Sequence, residues 1–328
     1  MRMKDIIKNI IIECAPMEGV TDYVFRRVQA KHFCPADKYY TPFISPTATH
    51  RFSPKQLREV LPENNAGINL VPQLIGHNAE DFLWACNELK AMGYDEVNFN
   101  LGCPSGTVVS KKKGSGLLSE REMLTGFFDE VFEKTPVQVS VKTRIGKMNT
   151  EEFSALLELF SAYPISELII HPRLQTQQYN GKPHLPAWEA ALKQYPRPLC
   201  YNGDLFTAEK IEAFLENYPA AERIMLGRGL AANPAMAGEA KNGERPDKNA
   251  FREFHAELLS QSRERIVQEK PLLMHMKEFW FYFGSSFEDA EKPMKNLKKA
   301  QSLADYSSAV NQLFSNCPLR EDIGFHLP

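Results

Sequence analysis

The sequence predicts a (β/α)8, or TIM, barrel followed by a small C-terminal bundle of helices. Short apolar segments alternate with segments of helical spacing over about 240 residues, and eight such alternations are typical of that barrel. A doubly wound open sheet is the alternative, but no candidate strand precedes the Gly-x-Gly-x-x-Gly turn of dinucleotide-binding sheets. The predicted strands are residues 11–17, 38–43, 69–75, 95–100, 137–143, 167–171, 199–203 and 223–227.

Helical spacing of apolar residues identifies the connections between strands and the whole C-terminal part. The stretch 241–249 is polar and contains a glycine and a proline, as linkers do. We therefore assign residues 1–240 to a barrel domain, 241–250 to a linker and 251–328 to a helical domain. The predicted helices are 79–92, 119–134, 150–163 and 207–217 (capped by Thr207) in the barrel, and 251–269, 271–283, 287–304 and 307–314 after it.

Composition excludes several classes of protein. With 43% hydrophobic and 24% charged residues, the chain is an ordinary globular protein, and its net charge of −2 requires any nucleic-acid partner to meet a local basic surface. The amino-terminal apolar run is broken by Lys8 and Glu13, so we expect neither a signal peptide nor a membrane partner, and a cytoplasmic location. Six cysteines without paired spacing predict reduced thiols and no metal site. A monomer is the simplest assumption.

Cys103 stands in a turn directly after a predicted buried strand. Gly102 and Pro104 end regular structure on either side, so the strand delivers this thiol to a loop at its carboxyl end. Parallel α/β folds build their sites at that end. A lone cysteine is more often a small buried hydrophobe, so the case for chemistry depends on the other strand ends.

Other predicted strands also end in side chains that suit a polar ligand. Each of these residues alone is more simply explained as a surface charge, part of a turn or a structural histidine. Their coincidence at one end of successive strands favours a site, because stability alone would not gather them there. These residues are Pro16, Met17, Glu18, Gln73, Lys142, Thr143, Arg144, His171, Arg173, Asn202, Gly203, Asp204, Gly227, Arg228 and Gly229.

The set has the chemistry that a flavin needs. Gln73 offers an amide to the pyrimidine edge of the ring, and Lys142 offers a cation for the charge near N1 of the reduced ring. The backbone of Gly203, Gly227 and Arg228 could donate to a phosphate, and the cofactor that fits is of FMN size. Cys103 would then face the ring as a proton donor, which requires a neutral thiol.

These motifs resemble those of the tRNA-dihydrouridine synthases. The block around Cys103 and the glycine-containing loop after it is highly specific, whereas the others also occur in broader flavin barrels. The matching blocks are APMEGVTD (15–22), PQLIG (72–76), NFNLGCPSGTVVSKKKGSGLL (98–118), VKTRIG (141–146), HPR (171–173), YNGD (201–204) and LGRG (226–229).

The resemblance implies an FMN enzyme that is reduced by NADPH (or NADH) and then reduces the C5–C6 double bond of a uridine in tRNA. It also implies that residues 1–240 form the FMN-binding catalytic barrel and residues 251–328 a tRNA-binding domain. Flavin N5 gives hydride to C6, Cys103 gives a proton to C5, and Asn100 helps to position a uracil flipped out of its stack. The residues expected to hold the flavin are Pro16, Met17, Gln73, Lys142, His171, Asn202, Gly203, Asp204, Gly227 and Arg228, with Glu18 beside them.

The sequence departs from the familiar pattern of this family at two places. Lys111, Lys112 and Lys113 form a run where many relatives have a shorter basic loop, and we assign them to the RNA substrate because their loop would overhang the mouth beside Cys103. Leu174 replaces the usual threonine after the HPR block, so Arg173 receives no role.

Two questions stay open at the level of sequence. From Lys241 onward the 13 basic and 13 acidic residues give a net charge of zero. The helix face formed by Lys292, Lys295 and Lys299 could be a solvated surface or could bind phosphate.

The rival functions are an FMN-dependent reductase or dehydrogenase of a free pyrimidine or other small molecule, and an RNA-binding module without catalysis. Turnover of a free pyrimidine favours the first, and a protein without flavin favours the second.

Overall fold

The computed structural model of the protein describes residues 7–327. The chain forms a parallel β/α barrel with a helical C-terminal region, so the predicted fold class is confirmed. Each predicted strand is present, and the third is divided in two. The strands are β1 (Ile11–Cys14), β2 (Lys38–Tyr40), β3 (Leu70–Val71), β4 (Gln73–Leu74), β5 (Glu96–Leu101), β6 (Gln138–Arg144), β7 (Leu168–His171), β8 (Leu199–Tyr201) and β9 (Arg223–Leu226).

The central strands are largely buried on both faces because each has packed side chains on either side of the sheet. β7 is buried along its whole length, and β5 is buried after its first residue. β5 and β6 pair in parallel, beginning with Glu96 opposite Gln138. This register brings the carboxyl ends of the two strands level, with Asn100 opposite Lys142.

The predicted third strand, residues 69–75, is divided at Pro72. Proline has no N–H to donate to a ladder, so the segment pairs with β2 through β3 on one side and with β5 through β4 on the other. The Pro72 carbonyl still accepts a hydrogen bond from the Asn98 N–H at 2.9 Å. Gln73 follows directly and is therefore fixed between two neighbouring strands.

The helices begin where the sequence offers caps. The Thr207 hydroxyl accepts a hydrogen bond from the Lys210 N–H at 3.3 Å, as the sequence predicts. Within residues 7–327 no helix combines the length and the apolar character that a bilayer span requires. The main helices are Tyr23–His32, Pro54–Val60, Ala79–Ala91, Arg121–Lys134, Glu152–Ser161, Leu185–Gln194, Ala208–Asn217, Met236–Asn242, Lys248–Arg265, Glu269–Phe283, Glu291–Lys299 and Leu303–Asn316, with shorter ones at Gly106–Val109 and Arg228–Ala232.

One predicted helix is wrong in its extent. The spacing predicts a helix over 287–304, whereas the observed helix is Glu291–Lys299. Pro293 explains the late start, because its missing N–H is tolerated in a first turn but would break the interior of a longer helix. Ser302 explains the early end, because its hydroxyl caps the next helix by accepting from the Asp305 N–H at 3.1 Å.

The chain divides into two compact units. The central unit consists of Lys38–Asp204 and Ala220–Met225 and contains β2 to β8 and most of β9. The terminal unit contains β1, Leu205–Pro219 and the residues from Leu226 onward. The division of labour between a catalytic barrel and a tRNA-binding domain stays a prediction.

The terminal unit is held together by aromatic packing around a buried polar cluster. The Phe25 ring lies 6.1 Å from the ring of Phe254. Tyr306 accepts a hydrogen bond from the Trp280 indole N–H at 2.7 Å, and its hydroxyl lies 2.7 Å from Nε2 of His255. Burial lowers the pKa of His255 to about 3, so the imidazole is neutral and its Nε2 can accept.

This cluster predicts a pH dependence of stability. The pKa of His255 is depressed in the folded protein, so below its ordinary value near 6.5 the unfolded chain binds the extra proton. Between about pH 7 and about pH 5 the free energy of unfolding should therefore lose about 2 kcal/mol through this residue. Urea titrations of the wild type and of His255→Gln at both pH values test this, because the glutamine has no proton to gain. An equal pH dependence in the two proteins would contradict the role of His255.

Candidate active site

A chain of buried amides fixes the turn that carries Cys103. The N–H groups of Gly102 and Cys103 both donate to Oδ1 of Asn100, at 3.0 and 2.9 Å. Asn100 in turn donates from Nδ2 to Oε1 of Gln73 at 2.7 Å, and Gln73 donates from Nε2 to Oδ1 of Asn98 at 2.8 Å. These side chains come from β4, β5 and the turn after β5, so the strand register sets the position of the cysteine backbone.

The loop after the cysteine returns to the same turn. The Ser115 hydroxyl and N–H both donate to the carbonyl of Cys103, at 2.8 and 3.1 Å. Gly114 has a φ of +55°, and a Cβ at this position would lie 2.9 Å from that carbonyl. Only glycine allows this close approach without strain, which explains the glycine at this position of the specific sequence block.

Lys142 brings a positive charge to the end of β6. Its side chain is partly buried, and desolvation, followed by the charge of Arg144, lowers its pKa to about 8. The nearby thiols of Cys103 and Cys200 act in the opposite direction. Within residues 7–327 Lys142 forms no ion pair with a carboxylate, so its charge is available to an anionic or polar ligand.

Arg144, at the end of β6, contacts two separate loops. Its guanidinium donates from Nε to the Gly102 carbonyl at 2.9 Å and from Nη1 to the Leu174 carbonyl at 2.8 Å. The side chain is 1% exposed and also lies over the ring of Tyr179. Arg144 thus joins the cysteine turn to the loop after β7. A charged residue within a buried strand was the only signal for this in the sequence.

Arg173 organises the ends of β7 and β8. It is buried, and its Nη1 lies 3.0 Å from Nε2 of His171 and donates to Oδ1 of Asp204 at 2.8 Å. A second hydrogen bond from Nη2 makes the Arg173–Asp204 pair bidentate. Asp204 is therefore engaged by an arginine, and His171 is oriented by it. Direct contact of either residue with a cofactor stays a prediction.

Two further predicted residues shape the end of β8. Asn202 donates from Nδ2 to the Met225 carbonyl at 2.8 Å, which ties β8 to β9. A Cβ on Gly203 would lie 2.8 Å from the hydroxyl of Tyr201, so a larger residue would collide with that ring. Glycine is required here because the Tyr201 ring and Pro183 fill the space that a side chain would take.

The other predicted flavin residues belong to the terminal unit. A Cβ on Gly227 would lie 3.3 Å from Sδ of Met17, which follows Pro16 after β1. The Arg228 guanidinium lies 4.7 Å from the centre of the Phe206 ring. Glu18 is exposed, and burial followed by the like charge of Glu18 raises the pKa of Glu278. The flavin roles of these residues stay predictions.

The three lysines of the predicted RNA loop differ in their surroundings. Lys111 and Lys112 are exposed, and Lys112 donates to Glu120 at 2.9 Å. Lys113 is half-buried and donates to the Ser45 hydroxyl at 2.9 Å. Their loop leads directly into Gly114 and Ser115, so it borders the cysteine turn as expected.

Fold and site together define a TIM-barrel protein with its polar and reactive side chains at the carboxyl ends of the strands, as in enzymes of this fold. A sequence model of the family described as "Dihydrouridine synthase (Dus)" matches residues 13–318. The chain therefore belongs to the dihydrouridine synthase family, a family of oxidoreductases.

Individual relatives agree with this. The chain is 30% identical over 276 residues to "Probable tRNA-dihydrouridine synthase 1" of Synechocystis sp., a match that covers 82% of this chain and 72% of that protein. It is 27% identical to the "tRNA-dihydrouridine(16) synthase" of Aquipseudomonas alcaligenes, covering 78% and 85% of the two chains. A solved structure of a 2-naphthoyl-CoA reductase complex matches with a TM-score of 0.55 and 10% identity, over 71% of this chain and 50% of that one, which shows a shared fold.

The contacts of Arg144 predict its effect on the cysteine turn. Replacement by Met removes the hydrogen bond to Gly102 in the turn and the one that ties it to Leu174, so local opening should become easier and alkylation of Cys103 about tenfold faster. Iodoacetamide labelling followed by mass spectrometry measures this at the Cys103 peptide. Arg121→Met is the matched control. Arg121 is exposed, and within the described part of the chain its one hydrogen bond goes to the Ala155 carbonyl at 3.2 Å. Equal labelling rates in both variants would refute the role.

Proposed function

We propose that the protein is an FMN-dependent tRNA-dihydrouridine synthase that uses NADPH (or NADH) to reduce the C5–C6 bond of uridines in tRNA. The observation that carries the proposal is the position of Cys103, held by Asn100 and Ser115 near the cationic side chain of Lys142. The family of the chain and the names of its relatives support the reaction and the substrate.

The residues of the central unit suit FMN. Lys142 is a partly buried cation that lacks a carboxylate partner within the described residues, and a flavin carries negative charge near N1 when it is reduced. Gln73 uses one N–H and one lone pair within the amide chain, which leaves one of each for the pyrimidine edge of the ring. When bound, FMN would supply the electron pair for C6, and the nicotinamide nucleotide would replenish it.

Cys103 supplies the proton in this proposal. The thiol gives its proton to C5 of the uracil, which completes the reduction, and the thiolate is reprotonated from solvent before the next turnover. The hydrogen bonds from Ser115, Gly102 and Cys103 itself fix the backbone on both sides of the sulfur, so the acid is positioned before substrate binds.

Asn100 is the residue that we propose for contact with the uracil. Its Oδ1 accepts from two backbone N–H groups, and one hydrogen of its amide nitrogen is donated to Gln73. The second hydrogen of that nitrogen is left for a carbonyl of the base. Asn100 is fixed by its own bonds, and the same side chain therefore aligns the base and the cysteine. The uridine must leave its stack to reach such a site.

Replacement of Cys103 by Ala should retain bound flavin and NADPH oxidation but slow the formation of dihydrouridine by about 10²-fold or more, because general acid catalysis is lost. Cys34→Ala is the matched control, since Cys34 is the other partly exposed cysteine among the described residues. Quantifying dihydrouridine in tRNA by mass spectrometry measures the effect. Wild-type rates from the Cys103 variant would overturn its role.

Replacement of Lys142 by Ala should weaken flavin binding or lower the potential of the flavin, because the cation near the reduced ring is lost. Its pKa of about 8 is below the ordinary value, so the wild-type site loses its cation as the pH rises through about 8. Flavin retention should therefore fall over that range in the wild type and not in the variant. The potential should fall more steeply with pH in the wild type than in the variant, where only the protons of the flavin itself contribute. Lys147→Ala, a half-buried lysine after the same strand, is the control. Identical profiles in the wild type and Lys142→Ala would exclude the assignment.

A further inference from the structure

A second segment of basic residues lies beside the lysine loop, although about fifty residues separate the two in the sequence. Ser45 connects them: its hydroxyl accepts from Lys113 at 2.9 Å, and its carbonyl accepts from the Gln56 side chain at 3.4 Å. Gln56 lies on the helix Pro54–Val60. We use the term basic surface for Arg51, Lys55 and Arg58 of this segment together with Lys111, Lys112 and Lys113.

The cations of the basic surface are exposed and act on one another. All of them are exposed except Lys113, which is half-buried. Desolvation, followed by the charge of Lys111, lowers the pKa of Lys113, and desolvation followed by Lys113 lowers the pKa of His77. Carboxylates partly offset these charges: Glu120 binds Lys112, and Asp81, which also lies 3.3 Å from His50, acts on the pKa of Lys113 in the upward direction.

The position of the basic surface links it to the proposed reaction. The lysine loop continues into Gly114 and Ser115, which contact the Cys103 carbonyl. The chain as a whole has a net charge of −2, so a group of six cations, three of them in the loop that leads into the cysteine turn, is not a general property of its surface. Exposed lysines and arginines distributed over such a surface suit a polyanion with regularly spaced charges.

We propose that the basic surface binds the phosphodiester backbone of RNA next to the target uridine. This inference rests on the proposed function. The contacts would be made to phosphates and would fix the orientation of the RNA, while carrying no information about base sequence. Each phosphate contact releases counterions, so binding through this surface must weaken as salt rises.

The test compares two triple variants of the whole flavin-loaded protein. In Arg51→Ala/Lys55→Ala/Arg58→Ala the proposed surface loses three exposed cations that the site does not use. The matched control is Lys90→Ala/Lys134→Ala/Lys193→Ala, which removes three exposed lysines from the last turns of the barrel helices. These helix ends lie toward the opposite end of the strands from Cys103, because connecting helices run antiparallel to the strands.

Binding of unmodified tRNA is measured over about 50 to 300 mM salt. We expect the first variant to bind tRNA about tenfold more weakly than the wild type near 0.1 M salt. The negative slope of log affinity against log salt should become smaller in magnitude by about two. It should also show a raised KM for tRNA at an unchanged kcat. The control should match the wild type, and flavin absorbance and urea stability should be equal in all three proteins.

The outcomes separate this inference from the proposed function. A wild type that forms no dihydrouridine refutes the function and, with it, this inference. A wild type that forms product, with a first variant of unchanged affinity and slope, refutes the basic surface alone. If the first variant loses flavin or stability, Arg51→Gln/Lys55→Gln, which keeps polar side chains, replaces it. An unchanged slope in that double variant likewise overturns the inference.

Discussion

The parallel register of β4, β5 and β6 is the constraint on which the site depends. It sets Gln73 opposite Asn98 and Asn100 opposite Lys142, so three amides and a cation come together toward the carboxyl ends of neighbouring strands. A shift of one residue would turn these side chains to the other face of the sheet. The apolar residues between them prevent such a shift, because it would expose part of the core.

The amides also explain why polar groups can be buried here. A buried amide costs free energy unless its donors and acceptors are paired. In this site Asn98, Asn100 and Gln73 pair with one another and with the backbone of the cysteine turn. The same hydrogen bonds that remove the cost of burial also fix the turn, so stability and positioning of the thiol have one origin.

Buried arginines extend this arrangement to the loops. Arg144 joins the turn after β5 to the loop after β7, and Arg173 joins β7 to the residue after β8. Leu174, which departs from the usual threonine, contributes its backbone carbonyl to Arg144 and therefore needs no polar side chain for that contact. A guanidinium presents five N–H donors in a fixed plane, which suits it to connect carbonyls on separate loops.

The sequence by itself determined the barrel, the helical C-terminal region and the loop position of Cys103, since these follow from local apolar periodicity and from residues that end strands. It misjudged the helix over 287–304, where Pro293 and the Ser302 cap override the periodicity. Only the tertiary structure decided that Asp204 pairs with Arg173, that Arg144 holds the cysteine turn and that the segment around Arg51 lies beside the lysine loop. These contacts join residues that are distant in the chain, and their partners are chosen by strand register and loop packing, which no local pattern of residues records.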